Sequence, residues 1–433
     1  MRKDQQKIAI IGGGPMGLAV AYELSLKGFK PIIYEADDRL GGMAACFNFD
    51  GIEIERYYHF HCLSDFEFIK ILEEIGLKKS LKWKKTKMGF FYDKKLYKWG
   101  SISSVIQFTH ISILTRIRYL LHAARCLTLK DWRHLDKINA VDWLKSWLGE
   151  NGYLKLWNKL FSFKFYHFSD EISAAWIWSR IHRLGRSRKG LDEKLGFLVN
   201  GSQQFINQLK KILLDRGIVI NLSTPVLRIN PRIKSGAEII TAKGSETFDM
   251  VISTIPLPLV GEIFRRSELD IEVTSKYEKL DSLACACVIL KTRKKITSNF
   301  WTNINDNRFN IPGIVEISNL RDLKDHLTYI PFYMPETHPD YLLDNKNFID
   351  KAWNCVMAIN PDLKNNDLIS SHCSRYRFAQ PVCRTNFYSR LPPIKPFNGI
   401  YTVDTNFYYP EDRGISESIN FGRNLVNEIF PYY

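Results

Sequence analysis

Glycines 12, 14 and 17 follow directly on the short apolar run from Lys7 to Ile11, and this junction constrains the chain more than any other part of it. A branched, apolar run of that length predicts a buried parallel strand. In the G-x-G-x-x-G that follows, Gly12 permits a tight turn and Gly14 lets backbone approach a pyrophosphate. Gly17 lets the next helix lie close to the strand. That helix is expected to begin at Pro15 and Met16 and run to about Lys27, with its N-terminal N–H groups and positive dipole end aimed at the pyrophosphate. Gly28 stops it. A second strand, Lys30 to Tyr34, leads to Glu35, an acid eighteen residues past Gly17 and correctly spaced to accept hydrogen bonds from an adenosine ribose. Strand, glycine turn, helix and acid together predict a dinucleotide site.

The residues that follow narrow the choice of dinucleotide. Glu35-Ala-Asp-Asp-Arg39-Leu-Gly41-Gly42 has the form E-x-x-x-R-x-G-G. It resembles the flavoproteins with two dinucleotide-binding domains: amine oxidases, protoporphyrinogen and phytoene oxidoreductases, and UDP-galactopyranose mutases. The resemblance implies FAD as cofactor. Gly41 and Gly42, with Met43 beside them, would pass close to its phosphates, and Arg39 would add positive charge there. It also implies an α/β fold, with a Rossmann-like FAD-binding domain, an intertwined α+β substrate domain and a helical insertion. On this plan residues 1–62, 193–256 and 396–433 build the FAD-binding domain. Residues 63–192 form a helical, basic insertion, and 257–395 the substrate-domain sheet.

Two later stretches fit the same plan. Around Leu195 to Pro256 the nucleotide-binding pattern returns, and the resemblance assigns the backbone at Val226 to the adenine. Near the end, Gly399 to Asp404 reads as a strand finishing in an acid, and a further helix begins within 410–423 and runs to Ile429. Asp404 would serve the ribityl chain or the diphosphate. Gly414 and Ile415 would bring helix N–H groups to the flavin end, and Ser416 is expected to cap that helix.

At 433 residues with 45% apolar side chains, the chain can bury more than one core. No secretory signal, internal repeat or run of 18 apolar residues is evident, so no transmembrane helix is expected. The eight scattered cysteines contain no C-x-x-C, which argues against zinc and against a disulfide framework, and suits a reducing, cytoplasmic setting. The formal charge is +15, and residues 70–134 concentrate the excess, with fifteen Lys and Arg against four Asp and Glu. Aromatics interleave with these lysines. Such a patch suits an anionic membrane surface or a phosphorylated substrate, as well as a merely solvated face. No nucleic-acid reader motif accompanies it. Peripheral contact at the inner face of a membrane is among the expectations, and an amphipathic helix over 103–127, whose apolar stripe otherwise joins the core, could provide it.

For chemistry, the resemblance places the stretch after the Asp50-Gly51 hairpin beside the isoalloxazine ring, which singles out Tyr58 and His59. His59 could relay protons near neutral pH. Lys164, between Phe163 and Phe165, is the candidate for a buried lysine facing substrate. Trp301, Tyr329 and Tyr333 are candidates for the pocket wall. The expected activity is FAD-dependent removal of hydride from a C–N, C–O or C–C unit of a small or lipid-linked molecule. The alternatives are a non-redox flavin isomerase resembling UDP-galactopyranose mutase, with arginines 180, 183, 186 and 188 holding a diphosphate, and a flavin-bound lipid-binding protein without turnover.

Overall fold

The computed structural model describes residues 6–189 and 192–432. Its fold is the expected α/β arrangement: a parallel sheet of the Rossmann type, a larger mixed sheet, and a set of helices between them. The parallel sheet runs Val219–Asn221, Ile32–Tyr34, Ile8–Ile11, Met250–Ser253 and Ile400–Thr402. The N-terminal motif is therefore completed only when strands near 250 and 400 line up beside it. Alternation along Ile8–Ile11 decides what covers each face. Ile8 and Ile10 pack under helices Pro15–Leu26, Ser202–Asp215 and Ile415–Ile429. Ala9 and Ile11 meet the antiparallel strands Val226–Pro231, Ala237–Thr241 and Gly244–Phe248. Both faces are dry, so the strand reads as an unbroken apolar run.

The second sheet has the order Leu368–Pro381, Ser282–Thr292, His326–Met334, Gly313–Glu316, Trp301–Asn305, Met88–Tyr92, Lys95–Trp99. The hairpin Met88–Tyr92/Lys95–Trp99 turns at Asp93-Lys94 as expected. It lies within the 63–192 stretch, yet it extends this sheet by pairing in parallel with Trp301–Asn305. Cys285 and Cys287 share one core with Tyr329 and Tyr333, and Ala286 and Val288 share another with Ile330 and Phe332. That alternation is the two-residue period of a strand. Pro331 lies opposite Cys287, past Tyr329, the last position in that direction that pairs with Gly313–Glu316. The strand is interior to the sheet but one-sided at Pro331, a local edge that tolerates proline.

One departure among the helices concerns the stretch 103–127. The single helix expected over 103–127 is two, Ile102–Gln107 and Ile113–Thr128. Between them Phe108 is buried edge-on against Phe90, Tyr97 and Trp99. Ser101 and Ser112 each cap a new first turn, accepting from Ser104 N and Thr115 N at 3.1 Å. An aromatic anchor and two caps outweigh the one extra turn that a continuous helix would supply. Helices Ala140–Leu156, Asn158–Phe165 and Ala174–Arg186 follow, the first of them kinked at Gly149, where φ is 74° and ψ is 163°.

Candidate active site

The glycine turn ends against Glu35. Gly13 N donates to Glu35 Oε2 at 2.6 Å and Asp37 N to Oε1 at 2.8 Å, while burial pushes the carboxyl up against the pull of these two amides. A Cβ at Gly17 would overlap the carbonyl oxygen of Gly12, so this glycine serves helix–strand packing. A Cβ at Gly14 would meet only Gly42 Cα, at 4.0 Å; everything else in front of it is open. Gly41 N donates to Gly13 O at 2.9 Å, tying the second glycine pair to the first loop, and Gly41 and Gly42 hold φ of 118° and 53°. Gly12, Gly14, Pro15, Met16, Gly42 and Met43 all line one cavity of about 960 Å³.

Other expected contacts sit differently. The Arg39 guanidinium is turned to Asp38, 2.7 Å away, and to the Cys46 carbonyl at 3.0 Å, and it does not line the cavity. Arg56, paired with Asp37, does line it. Val226 is buried under the parallel sheet, off the cavity wall. Ser416 is not the cap of its helix. Gly414 holds that place without a side-chain bond, and Ser416 Oγ accepts from Phe68 N at 3.3 Å, serving the first turn of helix Phe66–Glu74 instead. Among the described residues no side chain caps the first turn after Gly414, and Gly414 and Ile415 line the cavity.

Asp404 reaches the cavity wall, but its carboxylate is already engaged. It accepts from Leu257 N and Asn406 N, both at 2.8 Å, and from the Asn406 amide. Burial pushes its pKa up to about 6 despite these donors. The folded value lies above the unfolded one, so the folded chain binds more protons between about pH 4 and 6, and stability falls as pH rises through that window. The apoprotein should lose up to about 3 kcal/mol there, and Asp404→Asn should flatten that part of a pH series of urea unfolding curves. An unchanged slope contradicts the assignment.

Further inside, three cations and one carboxylate gather. Lys164 Nζ lies 5.2 Å from the ring centroids of both Trp176 and Tyr333. Among the described residues it has no hydrogen-bond or ion-pair partner. Burial, then the guanidiniums of Arg180 and Arg413, hold its pKa well below the usual lysine range. Arg180 stacks on Trp176 at 3.5 Å and donates to Asp412 Oδ1 at 2.8 Å. Burial works against Asp412's charge, but Arg180 and Lys164 outweigh it and keep the carboxylate ionised. Arg413 donates to Tyr333 Oη at 3.2 Å, and its other terminal nitrogen is buried without a partner among the described residues. Tyr58 meets Trp301 edge-on, and His59 Nδ1 donates to Tyr57 O at 2.8 Å. Burial, partly offset by Glu55, lowers the His59 pKa, so the ring is neutral near pH 7. Tyr58, His59 and Lys164 all face the same cavity.

Of the expected wall residues, Trp301 and Tyr333 line the cavity. Tyr329 is buried behind them and donates to Glu55 O at 2.7 Å. Asp412 and Arg413 escaped sequence reasoning, although their place just ahead of Gly414 was a usable signal. Arg183, a candidate for holding a diphosphate in the isomerase alternative, instead grips Asp65 with one nitrogen at 3.1 and 3.0 Å, and Asp65 also accepts from Cys62 N. Asp65→Ala strands a buried guanidinium and should cost about 3–5 kcal/mol. A loss under about 1 kcal/mol in urea unfolding would mean the pair carries no such burden.

Beyond Lys164 the cavity becomes an apolar arm among Val105, Leu120, Ala123, Leu127, Ile181 and Leu184. The cradle end fits FAD: open space before Gly14, a helix start after Gly414 with no side-chain cap, and a cavity that both line.

The sequence profile of the family described as flavin containing amine oxidoreductase matches residues 17–356. Among curated proteins none matches. Several solved structures share the fold. A candidate protoporphyrinogen oxidase from Exiguobacterium sp. 255-15 is 19% identical, with 98% of this chain and 99% of that chain covered and a TM-score of 0.76. Reduced UDP-galactopyranose mutase is 16% identical over 99% of this chain and 96% of its own, with a TM-score of 0.77. Wild-type putrescine oxidase bound to putrescine is 16% identical, covering 98% and 99%, with a TM-score of 0.74. The likeness spans oxidases and a mutase, so it leaves the reaction to be argued from the site.

Proposed function

Because the chain belongs to the flavin containing amine oxidoreductases, we propose that it uses FAD to remove hydride from a C–N, C–O or C–C unit of a lipid-linked or otherwise elongated substrate. One observation carries this reading. A single cavity runs from Gly14 past Lys164, Tyr333 and Arg413 into an apolar arm, so the reacting carbon can lie between the cofactor cradle and a channel for a hydrocarbon tail. Gly14, Gly42, Glu35 and Asp404 would hold the dinucleotide, and Gly414 and Ile415 its flavin end. Bound FAD supplies the two-electron acceptor.

The chain's own groups supply binding and proton handling. Lys164, whose pKa burial and the neighbouring guanidiniums lower, accepts in its neutral form the proton that a substrate N–H or O–H gives up as hydride leaves the carbon. Arg413 offers its unpartnered nitrogen to a substrate oxygen. Trp176, Tyr333 and Tyr58 shape the chamber and exclude water. The isomerase reading has less support. It needs guanidiniums free for a diphosphate, whereas Arg180 is paired with Asp412, and Arg375 donates to the carbonyls of Tyr341 and Leu343. The eight unpaired, buried cysteines support a reducing, cytoplasmic setting.

Anaerobic mixing of the FAD-loaded protein with phosphorylated isoprenoids and nucleotide sugars tests the proposal. Stoichiometric bleaching of the flavin with an oxidised product supports it. Turnover only after prior reduction by dithionite points to the isomerase, and saturable lipid binding with no turnover to a carrier.

A further inference from the structure

Helix Ile113–Thr128 has two apolar faces, and the molecule covers only one of them. Leu120, Ala123, Ala124 and Leu127, three and four residues apart, line the cavity's apolar arm. Ile113, Ile117 and Leu121, each one turn from the next, are 70%, 51% and 58% exposed, with Leu114 beside them at 63%. None of these four lines the cavity. On the preceding helix Ile102 and Ile106 are also exposed. Scattered apolar residues on a surface need no explanation, but a stripe continued over two adjoining helices does.

Two further features say what covers the stripe. Residues 94–130 contain seven Lys and Arg and no Asp or Glu. Arg116 and Arg118 donate only to backbone carbonyls, those of Ile106, Ile111 and Ser146, and no ion pair joins Arg125 or Lys130 among the described residues. Among the described residues no carboxylate pairs with these four side chains. The stripe is also continuous with the site, since Ile102 and Leu127 both line the cavity and are 54% and 44% exposed. The apolar arm thus reaches the surface at the patch. An apolar stripe in a segment whose only charged residues are cationic, on helices too short and too charged to cross a bilayer, matches a helix lying in the headgroup layer of an anionic membrane.

We propose that helices Ile102–Gln107 and Ile113–Thr128 dock this protein on an anionic lipid bilayer, with the mouth of the cavity opening into the membrane surface. Docking brings the arm to where a lipid's hydrocarbon chain resides, so the substrate enters tail-last without crossing water. This delivery role rests on the lipid-linked reading of the substrate, whereas docking itself does not.

The test is flotation of the FAD-loaded protein with vesicles of phosphatidylcholine alone or with about one third phosphatidylglycerol. Binding to the anionic vesicles is expected, with part of it surviving salt that screens charge, because the stripe inserts. The double variant Ile113→Asp/Ile117→Asp alters exposed positions only. It should keep its flavin content and melting temperature, yet bind at least tenfold more weakly. In Ile117→Trp, tryptophan emission should shift to the blue on anionic vesicles. Wild-type protein that floats with neither vesicle, or a double variant that binds as tightly as wild type, overturns the proposal. So does a stable dimer without lipid that Ile117→Asp dissociates, since the stripe would then belong to a second copy. Vesicle binding is read apart from flavin bleaching, so failure of the docking and failure of the oxidoreductase reading are told apart.

Discussion

Gly14→Val yields a folded, colourless protein. A Cβ at Gly14 has only Gly42 Cα within 4.0 Å, and its φ of −72° suits any residue, so the fold should carry the branched side chain without strain. The added methyl groups instead occupy the cavity in front of the turn, where the cofactor's pyrophosphate must come close to backbone. Affinity for FAD should fall at least a hundredfold, about 2.7 kcal/mol, measured as flavin released by dialysis and by equilibrium titration of the apoprotein. Gly17→Val separates this effect from misfolding. Its Cβ overlaps Gly12 O, so it should destabilise the helix–strand contact itself and lower the melting temperature. A yellow, FAD-saturated Gly14→Val protein would sink the cofactor assignment.

Lys164→Met should slow flavin reduction by substrate about 10²–10⁴-fold, with FAD content unchanged. Methionine keeps the length and apolar stem of lysine but cannot accept a proton. In wild type the reduction rate should rise with pH through the depressed Lys164 pKa and then level off, and in the variant that limb should vanish. The same substitution should stabilise the fold. Burial and two guanidiniums depress the folded pKa below the unfolded lysine value, so the unfolded chain binds the extra proton between those two values. Stability therefore rises with pH across that window, and the full cost is carried below it. Removing the amine removes the cost, so the melting temperature should increase. Wild-type reduction kinetics in Lys164→Met would exclude the lysine from proton transfer and leave it a packing role.

Much of the architecture was legible in the chain because its signals are local. Ile8–Ile11, the glycines after it and Glu35 lie within thirty residues, and short-range spacing alone dictates strand, turn, helix and acid. The hairpins at Asp50-Gly51 and Asp93-Lys94, and the alternation of Cys285 and Cys287, are equally local. The break at Phe108 was not legible. It depends on Phe90, Tyr97 and Trp99, whose positions come from a different sheet, and a helical pattern does not reveal an aromatic anchor reached from elsewhere. Ser416 shows the same limit: its hydroxyl was expected to serve its own helix and serves Phe68, 348 residues away in sequence.

The sequence by itself determined the dinucleotide cradle, the α/β class and the resemblance that implied FAD, because a pyrophosphate site needs a turn, a helix end and an acid that one short segment can hold. Only the tertiary structure decided what stands beyond the cradle. Lys164, Arg180, Tyr333 and Arg413 come from four separated segments, and each takes its charge state and its partners from the others. Burial and Coulomb interaction act through space, so their outcome is set only when those segments meet.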